Sequence, residues 1–356
     1  MRVLHITNQL EQGGVDTLLV QLLPILRERG VEVGLFVLGR TSESLAEELR
    51  SKGVEVYVSG RSNLYDPTVV FQIRKLAKRY DVVHAHLFPT QYYVAALKLL
   101  CPRKLLVTTE HCTTNKRRHS VLFAWLERFI YKAYRVKIGV SRAAAQNLAA
   151  WIGGETTTIV NGIDLERVYR AAACSPISVG VPDGAASVVM VARFFDQKDQ
   201  QTAVRAMQWL SDEVHLLFVG SGETMSECKA LAESLQVQER VHFLGQRSDA
   251  VSIVKMATVC LLSTHYEGLS IAMIEYCAAG KAVVGSDVDG VRELVSDPRL
   301  LFPIGDDRAL AASVRLLLED ADLRMAVEQT NFVRSQDYAL ASMADKYVEV
   351  YHNLMQ

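Results

Sequence analysis

Short β-rich runs that alternate with helical segments are the feature that most constrains how this chain can fold. Runs such as RVLHIT, VEVGLFVL and DVVHAH are each followed by a stretch with helical periodicity. A repeated strand–helix–strand order predicts a mostly parallel sheet with helices on both faces. The order stops in a segment rich in Gly, Pro and Ser between Asn161 and Ser187. It then starts again with SVVMVA, VHLLFVG and TVCLLS.

The length of 356 residues allows about two domains. We therefore predict an α/β protein with two doubly wound, Rossmann-like parallel sheets in tandem, the first in residues 1–165 and the second in residues 166–335. Ligands of such sheets bind beyond the carboxyl ends of the strands. With two domains, the site is expected in a cleft between them.

Composition excludes several classes of protein. An apolar content of 49% with 22% charged residues is typical of a globular chain. No run of about 18 apolar residues is present, and the first residues lack the pattern of a signal peptide. The six cysteines are scattered without a C-x-x-C pair. We therefore expect a protein of the reducing cytoplasm without a structural zinc site.

Positive charge is concentrated in the first half of the chain. Residues 1–165 hold 22 Lys+Arg and 14 Asp+Glu, a balance of +8, which leaves −9 for the remainder of a chain whose net charge is −1. Residues 116–137, KRRHSVLFAWLERFIYKAYRVK, hold seven basic residues and one acid, interleaved with apolar ones. This pattern is typical of a peripheral segment on an anionic membrane, here the inner face of the cell membrane. It is equally typical of a core helix with a solvated basic face. Nucleic acid is not an expected partner, because no nucleic-acid-binding motif accompanies the segment.

Glycines and polar residues follow several predicted strands. Gly13 and Gly14 open the first helix, and paired glycines let backbone N–H groups approach an anion at a helix N-terminus. Arg193 and Lys198 follow SVVMVA, and a guanidinium with an ammonium at one strand end suits a diphosphate. Each motif alone is also compatible with an ordinary surface turn. Further glycine and polar turns at strand ends are Gly220, Gln246 and Arg247.

The stretch HYEGLSIAMIE carries two acidic residues around the predicted start of an apolar helix. The backbone amides of Gly268, Leu269 and Ser270 would open that helix and could donate to phosphate oxygens. A carboxylate accepts two hydrogen bonds side by side, as the vicinal hydroxyls of a sugar offer them. We interpret Glu267 and Glu275 as hydroxyl readers at the two ends of a phosphate-bridged ligand. The alternatives are a glycosidase acid–base pair and an exposed acid beside a structural ion pair.

These motifs together resemble those of family 4 glycosyltransferases, which are retaining enzymes of the GT-B fold. EGLSIAMIE is similar to the family's glutamate-x7-glutamate signature, ARFFDQK to its Arg…Lys pair, QGGVDTLL to its first loop and NGID to its domain crossover. The similarity covers nearly the whole chain and is strongest to members that build bacterial capsule, exopolysaccharide or lipopolysaccharide. It implies two domains that face a central cleft, with the acceptor on the first and the donor nucleotide on the second. It also implies a C-terminal helix, residues 336–356, that returns to the first domain.

The resemblance implies roles for individual residues. Glu275 would hold the ribose hydroxyls, and Glu267 would contact the donor sugar. Arg193 and Lys198 would neutralise the departing diphosphate, so that no metal ion is expected. His111 would lie beside the reacting sugar, with an ordinary loop histidine as the alternative. The implied catalytic residues are thus His111, Arg193, Lys198 and Glu267. The implied donor-binding residues are Gly13, Gly14, Arg193, Lys198, Gly220, Gln246, Arg247, Glu267, Gly268, Leu269, Ser270 and Glu275.

Other polar residues are candidates for the acceptor side or for a metal. Lys116 and His86 are expected to face the acceptor, and His84 to be structural. The H-x-H spacing puts His84 and His86 on one side of a strand, but the sequence offers no evident third ligand. Asp287 and Asp289 mimic the metal-binding D-x-D of a different transferase fold. They are expected to form a loop near the site, at a place where the family usually has Gly instead of Asp289.

The sequence thus predicts a metal-independent, retaining hexosyltransferase that uses a nucleotide-diphosphate sugar. A UDP-sugar is favoured over a GDP-sugar, and no further cofactor is expected. The acceptor would be a carbohydrate or a lipid-linked molecule in the biosynthesis of a surface polysaccharide or glycolipid. Two alternatives stay open, a nucleotide-sugar epimerase and a non-catalytic subunit that binds nucleotide sugars.

Overall fold

The chain forms two compact units. The computed structural model describes residues 1–11, 13–61, 63–112 and 120–356. One unit comprises Met1–Gly162 and Leu340–Gln356, and the other comprises Ile163–Ala339. The sequence had placed the two boundaries at 165/166 and 335/336. The predicted cleft between the two domains stays a prediction.

The first unit is built on a parallel sheet with the strand order β3-β2-β1-β4-β5-β6-β7 in its described part. Its strands are β1 (Arg2–Thr7), β2 (Glu32–Val37), β3 (Glu55–Val58), β4 (Val82–His86), β5 (Leu105–Glu110), β6 (Val136–Gly139) and β7 (Thr157–Thr158). Its helices before the crossover are α1 (Gly14–Glu28), α2 (Glu43–Ser51), α3 (Val69–Ala77), α4 (Thr90–Leu100), α5 (Val121–Tyr131) and α6 (Arg142–Ile152). Every residue of β4 is buried, as expected for a central strand covered on both faces.

The second unit contains a parallel sheet with the order β10-β9-β8-β11-β12-β13. Its strands are β8 (Ala186–Val191), β9 (Val214–Val219), β10 (Val241–Phe243), β11 (Val259–Leu262), β12 (Val283–Ser286) and β13 (Leu301–Phe302). Its helices are α7 (Leu165–Arg170), α8 (Gln200–Ala206), α9 (Met225–Ser234), α10 (Ala250–Met256), α11 (Ile271–Ala278), α12 (Asp289–Arg292), α13 (Asp307–Glu319) and α14 (Ala321–Ser335). The prediction of two doubly wound parallel sheets is confirmed.

The last helix, α15 (Leu340–Met355), belongs to the first unit. It packs against α1, and Arg29 forms an ion pair with Asp345. Its tyrosines Tyr347 and Tyr351 are fully buried. In the described ranges, no helix has the length and apolar character needed to cross a membrane.

Each sheet has one place where the direction of strand addition reverses. In the first unit it lies between β1 and β4, and in the second between β8 and β11. Helices that leave such a pair of strands diverge to opposite faces, and the crevice at the carboxyl ends of the pair is the usual ligand site of this architecture. The residues that follow β1, β4, β8 and β11 are therefore the first candidates for a site.

Candidate functional site

An ion pair joins the segments that follow β8 and β11. The ammonium of Lys198 contacts Oε1 of Glu267, and the two side chains are 20% and 10% exposed. Charges that are this well shielded from bulk water interact more strongly than surface charges do. The sequence had placed both residues in one site, and the structure brings them together.

Gln197 holds the two segments in register beside this ion pair. Its carbonyl oxygen accepts from the His265 N–H at 2.8 Å and from the Thr264 hydroxyl at 3.0 Å. Its side-chain amide donates to the Tyr266 carbonyl at 2.8 Å. Three hydrogen bonds from one residue thus fix the turn that carries Lys198 against the loop that precedes α11.

A close approach of α12 supports the same loop from behind. A Cβ on Gly290 would lie 2.5 Å from the Gly268 carbonyl oxygen and 2.6 Å from that of Glu267. Only glycine fits at this position without displacing the loop. The neighbouring Asp287 and Asp289 both form ion pairs with Arg292, at 2.5 Å and 2.9 Å.

The loop leads directly into the N-terminus of α11. Ser270 is the N-cap, and its hydroxyl accepts from the Met273 N–H at 3.4 Å. The side chains of Leu269 and Ser270 are buried. The first amides of a helix have no partner within the helix and carry the positive end of its dipole. Gly268, Leu269 and Ser270 therefore stand where the sequence placed an anion-binding turn.

Glu275, in the second turn of α11, has a basic partner that the sequence did not suggest. Its carboxylate pairs with Arg167 of α7, and the side chains are 13% and 43% exposed. Burial raises the pKa of Glu275 above its ordinary value, and the Arg167 guanidinium pulls it back down. The structural ion pair considered in the sequence analysis is therefore present, and a ribose contact at Glu275 stays a prediction.

Arg193 leaves the end of β8 as an exposed side chain. Its guanidinium lies over the Phe195 ring, with 4.9 Å between the Cζ atom and the ring centroid. Gly220, at the end of β9, has φ +140°, and a Cβ there would lie 2.1 Å from the Ala192 carbonyl oxygen. Gly220 thus lets β9 approach the backbone that carries Arg193. Its own expected role is donor binding, which stays a prediction.

Gln246 and Arg247 follow β10 at the edge of the sheet, and both are exposed. Arg247 makes a two-pronged ion pair with Asp249, with both nitrogen–oxygen distances at 2.7 Å. This pairing already satisfies the guanidinium, so Arg247 would have to exchange a partner in order to hold a ligand.

In the first unit, Gly13 and Gly14 lie at the start of α1, in the connection that leaves β1 at the strand reversal. Gly13 is the N-cap of α1 and is buried, and Gly14 is the first helical residue and is exposed. The Gly13 carbonyl accepts from the Thr17 N–H at 2.8 Å, which is the first hydrogen bond of the helix. The predicted glycine turn is thus a helix start.

The structure corrects the expectation for His86. This residue is buried, with Nδ1 3.1 Å from His111 Nε2 and Nε2 3.0 Å from His5 Nδ1. Both ring nitrogens therefore contact other histidines, and neither is turned towards a place where an acceptor substrate could bind. His86 lies behind His111, which follows β5 and is partly exposed. Lys116 lies outside the described residues.

His84 is buried, as expected, but a third potential metal ligand is present. Ring nitrogens of His5, His84 and His86 all lie within 4.8 Å of one another. Because β1 and β4 pair in register, His5 lies directly beside His84. His5 is not among the residues predicted from the sequence, although its position in the neighbouring strand is a signal that could have identified it.

Three further residues at the second-unit site were not found from the sequence. Arg167 follows the NGID segment, Gln197 lies inside the ARFFDQK motif, and Gly290 directly follows Asp289 of the D-x-D pair. Their motifs were recognised, but the partners of Arg167 and Gln197 and the close approach at Gly290 depend on tertiary contacts that one sequence does not encode locally.

Two family models match this chain, and each covers most of one unit. Residues 12–167 match the family model "Glycosyltransferase Family 4", and residues 176–332 match "Glycosyl transferases group 1". The chain belongs to the family 4, group 1 glycosyltransferases of the GT-B fold. The resemblance inferred from the motifs is therefore confirmed, and glycosyltransferase activity is the function of this chain at the level of its class.

Relatives of this glycosyltransferase span almost its whole length. The phosphatidyl-myo-inositol mannosyltransferase of Mycobacterium leprae is 25% identical, over 96% of this chain and 93% of the relative. The UDP-Gal:alpha-D-GlcNAc-diphosphoundecaprenol alpha-1,3-galactosyltransferase of Escherichia coli is 22% identical, over 100% and 97%. The crystal structure of Anabaena HepE in complex with UDP and glucose superimposes with a TM-score of 0.86 at 18% identity, and covers 99% of this chain and 100% of that one. At this identity the structural likeness shows the fold.

The Arg167–Glu275 pair leads to a prediction about stability. Arg167→Ala should destabilise the protein by about 1–2 kcal/mol in urea unfolding at neutral pH. This is less than the roughly 3–5 kcal/mol of a fully buried pair, because the Arg167 side chain is 43% exposed. The loss should shrink as pH falls towards the ordinary carboxyl pKa, because Glu275 then takes up a proton and no longer leaves a buried charge without its partner.

Arg170→Ala is the matched control on the same helix. Arg170 pairs with Glu166, and these side chains are 81% and 69% exposed, so its loss should be small. Glu275→Gln combined with Arg167→Ala should recover most of the stability. Equal losses for the two arginine variants would show that the buried pair is unimportant for the fold.

Proposed function

We propose that this glycosyltransferase is a retaining, metal-independent hexosyltransferase. It takes the sugar from a nucleotide-diphosphate donor, with UDP-sugars favoured and GDP-sugars as the alternative. The acceptor is a carbohydrate or lipid-linked molecule in surface polysaccharide or glycolipid biosynthesis. Family membership supports the class of reaction, and the finer statements rest on the site described above.

The observation that carries the proposal is the convergence at the carboxyl ends of β8 and β11. A cationic side chain, two acidic side chains and the N-terminus of α11 lie within one short stretch of structure there. Arg193, Lys198 and the amides of Gly268–Ser270 are the groups that would receive the diphosphate. Glu267 and Glu275 are the groups that would accept from the hydroxyls of the sugar and the ribose.

The charges of this site suggest how it would support departure of the diphosphate. Negative charge grows on the leaving phosphate oxygen as the glycosidic bond to the nucleotide breaks. The Lys198 ammonium is held in place by its ion pair with Glu267, and the exposed guanidinium of Arg193 also follows β8. Preplaced cations stabilise developing negative charge without reorganisation of solvent, which is the work a metal ion does at other sites.

The nature of the acceptor is proposed from the relatives. Two of them are named for lipid-linked acceptors, a phosphatidyl-myo-inositol and a diphosphoundecaprenol derivative. A lipid-linked acceptor requires that the enzyme work at a membrane surface. The candidate for contact with the membrane is the basic and apolar segment in residues 116–137.

Helix α5 has the surface that such attachment requires. Trp125 and Phe129 are each 72% exposed, and their spacing of four residues places them on one face of the helix. Glu127 is buried, where it accepts from the hydroxyl of Tyr92 and the indole N–H of Trp151. The one acidic residue of the segment is therefore turned away from the surface. We propose that this face contacts anionic lipid on the inner side of the cell membrane.

The reaction class can be tested directly, and with it the role of metal. Incubation with UDP-sugars and GDP-sugars and a lipid-linked acceptor should release nucleoside diphosphate and form a glycosylated product with the anomeric configuration of the donor. Transfer should persist in EDTA, because Arg193 and Lys198 are proposed to stand in for a cation. Epimerised sugar without transfer would favour the epimerase alternative, and binding without turnover the non-catalytic one. Activity lost in EDTA and restored by manganese would contradict the metal-independent site.

Two substitutions in the donor site should differ in their kinetic effects. Arg193→Ala should mainly lower kcat, by a factor equivalent to about 2–4 kcal/mol, because its partner charge grows only in the transition state. Glu275→Ala should mainly raise KM for the donor, because the ribose hydroxyls do not change during the reaction.

Arg170→Ala, at an exposed position, provides the kinetic control, and the circular dichroism of every variant should be compared. An unfolded Glu275→Ala variant would mean that the pair with Arg167 is needed for the fold. An effect of Arg193→Ala confined to KM would contradict its role in the chemical step.

Membrane attachment should depend on the exposed aromatic residues of α5. The double variant Trp125→Ala/Phe129→Ala should sediment with anionic vesicles at least about tenfold more weakly than the unaltered protein, because burying one large apolar side chain is worth roughly 1.5–3 kcal/mol. Phe71→Ala is the matched control, since Phe71 is 63% exposed on α3 of the same unit. Equal sedimentation with neutral and anionic vesicles would reject the proposed surface and leave α5 as a core helix with a solvated face.

A further inference from the structure

A continuous chain of buried polar side chains runs through the sheet of the first unit. It begins at His111, whose Nε2 is 3.1 Å from His86 Nδ1. His86 Nε2 is 3.0 Å from His5 Nδ1, and His5 Nε2 is 3.4 Å from the hydroxyl of Tyr351 on α15. Strands β5, β4 and β1 and the C-terminal helix thus each contribute to one path.

The path continues beyond Tyr351. The Tyr351 hydroxyl is 2.6 Å from His84 Nδ1, and His84 Nε2 is 2.8 Å from the Thr109 hydroxyl. The Thr109 hydroxyl is in turn 3.2 Å from the hydroxyl of Tyr347. We call this set the histidine chain; its members, in order, are His111, His86, His5, Tyr351, His84, Thr109 and Tyr347.

All four imidazoles of the histidine chain are uncharged at neutral pH. Burial lowers the pKa of His111 to about 4 and that of His5 to about 3. Burial also lowers the pKa values of His84 and His86 well below the ordinary value, and the neighbouring histidines add to this effect. A neutral imidazole has one N–H and one lone pair. Each hydrogen bond of the histidine chain therefore uses one proton, and all of its donors must face the same end of the histidine chain.

Only two directions satisfy every link. If all protons point towards Tyr347, the hydroxyl proton of that residue ends the chain, and Tyr347 is 1% exposed. If all protons point towards His111, the last N–H is on Nδ1 of that residue, a buried atom that has no hydrogen-bond partner among the described residues. A buried donor without an acceptor is destabilising by about 1–3 kcal/mol. The first direction leaves two buried groups without partners among the described residues, the Tyr347 hydroxyl proton and the Nδ1 lone pair of His111, whereas the second direction leaves only the Nδ1 proton of His111.

We propose that the histidine chain holds His111 as the Nδ1–H tautomer, so that this residue presents a hydrogen-bond donor. Tyr351, His5 and His86 are then positioning residues, and the C-terminal helix helps to set the chemistry of a residue on β5. Within the part of the chain that the structure describes, Nδ1 of His111 has no hydrogen-bond partner. Its complement is an acceptor oxygen on an uncharged ligand, such as a sugar hydroxyl.

The tautomer has a chemical consequence. A nitrogen that carries a proton has no lone pair to receive another, so Nδ1 of His111 is a donor and not a general base. This deepens the proposed function, because it rests on His111 lying beside the reacting sugar. The tautomer itself does not depend on any activity.

A metal bound by His5, His84 and His86 is the competing interpretation. Their nitrogens lie within 4.8 Å of one another. The contact of 3.0 Å between His5 and His86 and the contacts of His84 with Tyr351 and Thr109 have ordinary hydrogen-bond lengths. Every ring nitrogen of the three residues thus already has a partner, which favours the hydrogen-bonded chain.

The test is nitrogen NMR of the full-length protein labelled with ¹⁵N in histidine. Protonated and bare ring nitrogens have well-separated shifts, and His111→Gln assigns the signals of His111. We expect a neutral His111 with the proton on Nδ1 throughout the neutral pH range. A proton on Nε2, a charged imidazolium at neutral pH, or stoichiometric bound metal in the purified protein would each overturn the proposal.

Tyr351→Phe breaks the chain and keeps the ring in place. The His111 signals should then show both tautomers, and if the proposed function holds, kcat should fall by roughly threefold to tenfold, as expected for loss of one hydrogen bond. The control Tyr80→Phe removes another buried tyrosine hydroxyl of the same unit, one bonded to Glu55. It should change neither readout, whereas an equal change in both variants would overturn the proposal.

The two readouts separate the tautomer from the reaction. An Nδ1–H tautomer in a protein that transfers no sugar would leave the histidine chain intact and reject the proposed function. If Tyr351→Phe does not fold, the tautomer of the unaltered protein still decides the question.

Discussion

The parallel pairing of β8 with β11 is the constraint on which the site depends. Val188 pairs with Val259, and Val189 with Cys260, so the two strands end side by side. Lys198 and Glu267 are 69 residues apart in the chain and yet form an ion pair. No local sequence preference could bring them together. The sheet brings the two segments side by side, and the hydrogen bonds of Gln197 then fix their positions relative to each other.

The loop and helix that follow β11 hold both acids, but in different surroundings. Glu267 precedes α11, close to amides that favour negative charge, and it pairs with Lys198. Glu275 lies in the second turn, where burial raises its pKa and Arg167 opposes that effect. Burial of an acid is tolerated only with a charged or hydrogen-bonding partner. A ligand hydroxyl that replaces Arg167 at Glu275 must therefore arrive with enough hydrogen bonds to offset the lost ion pair.

The doubly wound architecture could be predicted from the sequence because it depends on local patterns. Continuous apolar runs such as VVMV and the helical periods between them are properties of neighbouring residues. The motif around Glu267 and Glu275 was also visible, since its spacing is short. Arg167 was not, because its pairing with Glu275 spans 108 positions. His86 was misplaced for a related reason: the H-x-H spacing shows that both rings face one side of β4, but not that His5 and His111 fill that side.

The two units stabilise the buried polar groups near their strand reversals in different ways. In the second unit, charges are used, and each acid has a basic partner that remains partly exposed. In the first unit, the polar groups lie deeper and are neutral, so the desolvation of an ion is avoided altogether. Neutral groups have a different requirement, because each proton must find an acceptor along one shared direction. When one charge of a partly exposed ion pair is removed, water can screen the charge that remains. When one hydrogen bond of the buried histidine chain is removed, the donors on either side of the break can reverse independently. In the proposed arrangement, this is how α15, at the far end of the sequence, determines which ring nitrogen of His111 carries the proton.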